Sequence, residues 1–172
     1  MSKLHSKKET YNFWQVLLHW IIAALVLFEL TFKGEIKNFN AYLQTNLEKT
    51  PDLSNETKIH ISVGIAILAL MLIRLLVRVF CGVPANNQEV PPVLTLIARW
   101  SHYLLYFLLF ITPITGILSW LFPVKNFIFL HQFSSKCLVI FILFHICATF
   151  FSEGVLGHKI LHRMITFNKT NK

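Results

Sequence analysis

The sequence predicts an all-α fold: an integral membrane four-helix bundle with both ends of the chain cytoplasmic. Three observations predict it. The 172 residues are 55% hydrophobic and only 14% charged, less charge than a soluble domain of this size carries. Four apolar stretches, at about 13–32, 59–81, 94–122 and 127–151, are each long enough to cross a hydrocarbon core of about 30 Å as a helix. The cations are unevenly shared between the two sides those helices would define.

With the N-terminus inside, the inner segments hold Lys3, Lys7, Lys8, Arg74, Arg78, Arg99, Lys159, Arg163, Lys169 and Lys172. The outer segments hold Lys33, Lys37, Lys49, Lys58, Lys125 and Lys136. The excess on the first set puts both termini inside. This topology accounts for the net charge of +8, so the basic balance does not point to nucleic acid. A soluble helical core is the rival reading, but buried soluble helices rarely run apolar all round over such lengths.

The elements follow in order. Residues 1–12 form a polar lead-in, with Thr10 and Asn12 as helix-starting caps. The first stretch carries His19, Trp20 and Glu29 and lacks a small-residue cleavage site, so it is expected to stay as helix one. The connection over 34–58 is the longest, with room for a short interfacial helix at about 39–47 on Phe39, Tyr42, Leu43 and Leu47. Ser54 or Asn55 would cap helix two, and Cys81-Gly82-Val83-Pro84 would stop it. Pro91-Pro92 precedes helix three, Pro113 and Gly116 suggest a kink within it, and Pro123 ends it. The next connection is so short that helices three and four should be antiparallel neighbours. No internal repeat or low-complexity tract divides the chain, which reads as one domain over 1–172.

Four histidines carry the functional argument, because ionisable residues inside spans are costly and rarely kept without a role. His131 and His145 lie fourteen residues apart on helix four, about four turns, so both rings share a face roughly 21 Å apart. His19 and His145 each stand six residues from an inner helix end; His60 and His131 open their helices at the outer side. Depth therefore pairs His19 with His145 and His60 with His131, whichever way the bundle faces. Two imidazoles from opposing helices suit the two axial positions of a haem iron. Zinc wants three or four ligands, and no carboxylate is expected at either histidine depth, Glu29 being ten residues beyond His19. Ala23, Gly64 and Thr149, each one turn after a histidine, would give a flat macrocycle clearance, although small residues are common at membrane helix crossings. Cys81, Cys137 and Cys147 form neither CxxC nor CxxCH, which excludes covalent haem attachment and the usual thiolate zinc site. They read as small buried apolar residues.

His102 lies at the depth of the inner pair, so depth alone leaves it open as an inner ligand. It otherwise reads as a donor to a haem propionate or a quinone, with Arg99 and Trp100 nearby, or as a packing residue. Arg74 and Arg78, one turn apart, either pair propionates or act as positive-inside anchors. No catalytic residue is singled out.

Leu18-His19-Trp20, the run from Lys58-Ile59-His60-Ile61-Ser62-Val63-Gly64 to Arg74-Leu75-Leu76-Val77-Arg78, and His102-Tyr103 through Leu105-Tyr106 to Pro113-Ile114-Thr115-Gly116 resemble the bacterial four-helix cytochrome b561 family. So do His131, His145 and Arg163-Met164, and the likeness covers nearly the whole chain. It implies two b-type haems with bis-histidine ligation on His19, His60, His131 and His145, and His102 matches a family histidine that is not an axial ligand. Arg99 departs from the pattern, standing where members often have another histidine, and the outer loop is longer than in the shortest members. The resemblance implies a bacterial inner-membrane protein that passes electrons between the quinone pool and an outer-face donor, either superoxide or a periplasmic redox partner. A haem-bearing membrane anchor of a larger oxidoreductase fits the same four histidines. A metal or ion transporter is the third reading, and a visible b-type spectrum would reject it.

Overall fold

The computed structural model describes residues 11–31, 55–82, 91–122, 124–155 and 157. They form four helices: α1 (Phe13–Thr31), α2 (Asn55–Cys81), α3 (Pro92–Leu121) and α4 (Lys125–Gly154). All four are long and apolar enough to cross a membrane. The proposed interfacial helix at 39–47, the caps Thr10 and Ser54, and Pro84 and Pro123 lie outside the described residues.

Local chemistry sets the ends. At the start of α1, Asn12 Oδ1 accepts from the Trp14 backbone N–H at 3.3 Å. Gln15 Oε1 accepts from the Asn12 N–H at 3.1 Å, so the two side chains cap the first turn reciprocally. Helix α2 begins four residues before the apolar run, at Asn55, and ends on Gly82, whose φ of 71° only glycine adopts cheaply. Helix α3 starts on Pro92, where the missing N–H costs nothing. It runs on through Pro113 and Gly116 to Leu121. Helix α4 extends three residues past Phe151, to Gly154.

Successive helices are antiparallel. Gln15 Nε2 donates to the Gly82 carbonyl at 2.8 Å and Asn12 Nδ2 to Cys81 Sγ at 3.6 Å, tying the start of α1 to the end of α2. This is called the near end; the far end holds the end of α1 and the starts of α2 and α4. The central packing is Ile22 and Val26 of α1 against Ile67 and Met71 of α2, extended by Tyr106, Leu109 and Phe110 of α3 and Ile142 of α4. A second cluster, Leu105 and Leu108 against Leu138, joins α3 to α4. Helix α4 packs closely along α3 and meets α1 and α2 only lightly, through side chains such as Ile142. Outward faces are covered with Leu27, Leu72, Leu76, Phe80, Ile140, Leu143 and Phe150, all exposed, as lipid contact requires.

Candidate cofactor-binding site

The far end is built from three helices. His60 of α2 and His131 of α4 face each other with ring centres 6.0 Å apart and planes at 73°. The Nδ1 of His131 bonds the Thr112 carbonyl at 2.9 Å. The Nδ1 of His60 bonds a carboxylate oxygen of Glu29. With Nδ1 held, Nε2 is the nitrogen each ring has left to offer a metal, the usual arrangement behind ligating histidines. Two imidazoles sharing one iron through bonds of about 2 Å would put their ring centres about 6 Å apart, close to what is observed. The ring of His131 also needs Gly116: a Cβ there would come within 3.0 Å of Cε1 and 3.1 Å of Nδ1. Beside His60, a Cβ at Gly64 would meet nothing within 4 Å. Spacing, donor set and clearance therefore fit a bis-histidine haem.

The expectation that no carboxylate reaches a histidine depth is corrected here. Measured along α1, Glu29 is far from His19; across the antiparallel pair it is level with His60, to which it is bonded. Its other oxygen, Oε1, is buried with no partner among the described residues. This carboxylate does not turn the site into an ion cage: no three His, Cys, Asp or Glu side chains converge among the described residues.

The near end is more crowded. His145 of α4 meets His102 of α3 edge-to-face, ring centres 5.1 Å apart at 84°. His19 of α1 is in electrostatic reach of His145, His102 and Arg74, and its ring lies 5.4 Å from that of Trp20. His102 Nδ1 is held at 2.5 Å by the Ala98 carbonyl of its own helix. Arg74 Nε donates to Tyr106 Oη at 3.1 Å, and the guanidinium of Arg78 lies 5.6 Å from the centre of the Tyr106 ring. Arg99 is exposed. The nearer histidine to His145 is thus His102. Helices α3 and α4 are close-packed, however, and leave no width between them for a macrocycle; α1 and α4 meet only lightly. His19 of α1 is thus the ring that stands across from the His145–His102 pair.

Sequence reasoning singled out the four histidines, His102 and three arginines, of which Arg74 and Arg78 lie in the near-end cluster and Arg99 is exposed. It missed Glu29 as a partner of His60, Tyr106 as the residue joining Arg74 to Arg78, and Gly116 as the seat of His131. It also missed the Thr112 carbonyl, a backbone group that no side-chain pattern signals.

Comparison with known proteins points to one family. The model of the family described as prokaryotic cytochrome b561 matches residues 10–167. A cytochrome b562 from Cereibacter sphaeroides is 28% identical over 155 residues, 90% of this chain and 94% of that protein. A probable superoxide oxidase CybB from Yersinia pestis is 29% identical over 114 residues, 66% of this chain and 58% of that protein.

Proposed function

This chain belongs to the prokaryotic cytochrome b561 family, and we propose that it is a two-haem wire of the bacterial inner membrane, passing electrons from an outer-face donor to the quinone pool. The observation that carries this reading is the far-end pair, two imidazoles 6.0 Å apart with both Nδ1 atoms engaged.

Haem b supplies a one-electron couple whose potential the surrounding protein sets. His60 and His131 would hold one haem, His19 and His145 the other. At the far end Glu29 and the Thr112 carbonyl fix which nitrogen each ring presents. At the near end Arg74, Arg78 and Tyr106 supply cationic and hydroxyl donors for propionates, and His102 offers a further polar group to a quinone headgroup. The far-end ring of His60 is partly exposed, its side chain 34% accessible, which suits electron entry from the outer face. The cation distribution supports the near end as the cytoplasmic one, with both termini on that side.

The donor proposed is superoxide, as the name of the Yersinia pestis relative suggests, with a periplasmic redox partner as the competing donor. Two superoxide anions would each lose one electron and leave as O2, while one quinone gains two electrons and two protons to become the quinol. Lys58, Lys125 and Lys136 are exposed at the far end and would attract the anion. A pyridine haemochrome assay on the purified chain tests the reading, with about two haems expected per chain. One haem or none overturns it.

A further inference from the structure

Glu29 is a largely buried ionisable group whose charge has no part in the wire as described so far. It lies within a membrane-spanning helix, two residues before the described end of α1, with its side chain 13% exposed. A carboxylate at such a depth is costly and is kept where it is paired. Its pairing is to Nδ1 of His60, a proposed axial ligand. The opposite ring, His131, gives its Nδ1 to the uncharged carbonyl of Thr112. The two ligands of one site therefore have different supports, one anionic and one neutral.

That difference has a chemical consequence. A carboxylate that accepts the Nδ1 proton draws it away from the ring and leaves more electron density at Nε2. Stronger donation from Nε2 favours the oxidised iron over the reduced iron. We infer that Glu29 is a positioning residue which, through Nδ1 of His60, fixes that ring's tautomer and lowers the midpoint potential of the far-end haem. The inference rests on the two-haem reading. At the near end the ionic groups around the histidines are the guanidiniums of Arg74 and Arg78, of opposite sign. A lowered far-end potential directs electrons from the far end to the near end.

The test uses the full-length, haem-loaded protein and three variants. Glu29→Gln keeps the shape and removes the charge, Glu29→Asp keeps the charge and shortens the reach, and Glu29→Leu removes both. Haem is counted per chain, and each haem's midpoint potential is read by optical redox titration. The His145→Ala background, which retains the far-end haem alone, assigns the two potentials. Glu29→Gln is expected to keep both haems and shift the far-end reduction equilibrium about tenfold toward the reduced form, or about 59 mV upward. The near-end potential should stay fixed, and Glu29→Asp should lie nearer to the unaltered protein than Glu29→Gln. If packing were the only role, the isosteric Gln would be the milder change, and that order overturns the inference. So do an unchanged potential with both haems bound, and loss of the far-end haem in all three variants. If the unaltered chain lacks a far-end haem, the two-haem reading fails with it, and the haem count shows this before any variant is made.

Discussion

The two ends of the bundle solve a similar problem with different economy. At the far end two histidines face each other, and each has one Nδ1 partner. At the near end three histidines, two arginines and a tyrosine occupy a comparable depth. A pair of axial ligands needs only the first arrangement. Polar side chains in a span are retained for partners or pathways, so on the two-haem reading the surplus at the near end is left over for a ligand besides the iron. Propionates and a quinone headgroup are the occupants with matching chemistry. On that reading the far end is a holder, and the near end is a holder joined to a binding surface.

The hardest break in this comparison is to remove ligands from one end at a time. His60→Ala or His131→Ala should take haem content from about two per chain to about one, with the near-end spectrum intact. His19→Ala or His145→Ala should do the reverse. If His102→Ala removes the near-end haem and His19→Ala does not, the facing pair lies across α3 and α4 instead.

A subtler strike at the far end is Gly116→Val. The new side chain would meet the ring of His131, whose Cε1 lies 3.0 Å from the position of an added Cβ. Overpacking of this kind costs about 1–3 kcal/mol. Partial loss of the far-end haem with full near-end occupancy is expected; full occupancy at both ends would show that the ring has room to move.

Tyr106→Phe removes the 3.1 Å bond to Arg74 while sparing the ring beneath Arg78. It should cost about 1 kcal/mol and slow quinone-dependent reoxidation severalfold, without haem loss. Unchanged reoxidation would move the quinone surface away from this cluster. Arg99→Gln, at an exposed position, should slow it less than Tyr106→Phe, and the reverse order would put the quinone nearer the start of α3.

The smallest effect concerns the approach to the far end. Reduction of haem by superoxide should slow as ionic strength rises, because steering by Lys58, Lys125 and Lys136 is screened beyond about 10 Å at 0.1 M salt. Lys58→Gln and Lys125→Gln should flatten that dependence. A rate indifferent to both salt and substitution would leave these lysines as headgroup anchors.

Much of this was legible in the sequence. Apolar length gave four spans, Asn12 gave the first cap, and Gly82 gave the end of α2. Helix ends were less legible, because a helix does not stop where apolarity stops. Asn55–Lys58 and Ser152–Gly154 continue the helical backbone through polar residues. Depth along a helix was readable, but rotation about it was not. That is why depth leaves His102 open as a ligand and says nothing of its ring meeting that of His145. Glu29 escaped for a related reason: its distance was counted along its own helix from His19, whereas its partner lies across an antiparallel pair. In the sequence Pro113 and Gly116 together suggest a kink, and the structure adds that Gly116 leaves space for a ring on another helix.

The light contact of α4 with α1 and α2 bears on how the molecule is made. The Asn12–Cys81 and Gln15–Gly82 bonds fasten α1 and α2 into one hairpin, and the short link before Lys125 makes α3 and α4 another. Each hairpin can enter the bilayer as a finished piece. On the two-haem reading, the joint between α4 and the first hairpin is a light apolar contact at Ile142 plus imidazole and iron, so cofactor loading should complete its closure. Haem-starved cells should contain chain that is fully inserted but incompletely closed, and quality-control proteases should clear it faster than the loaded form. Pulse-chase turnover with and without haem supply measures this, and equal lifetimes would mean that α4 docks without its cofactor.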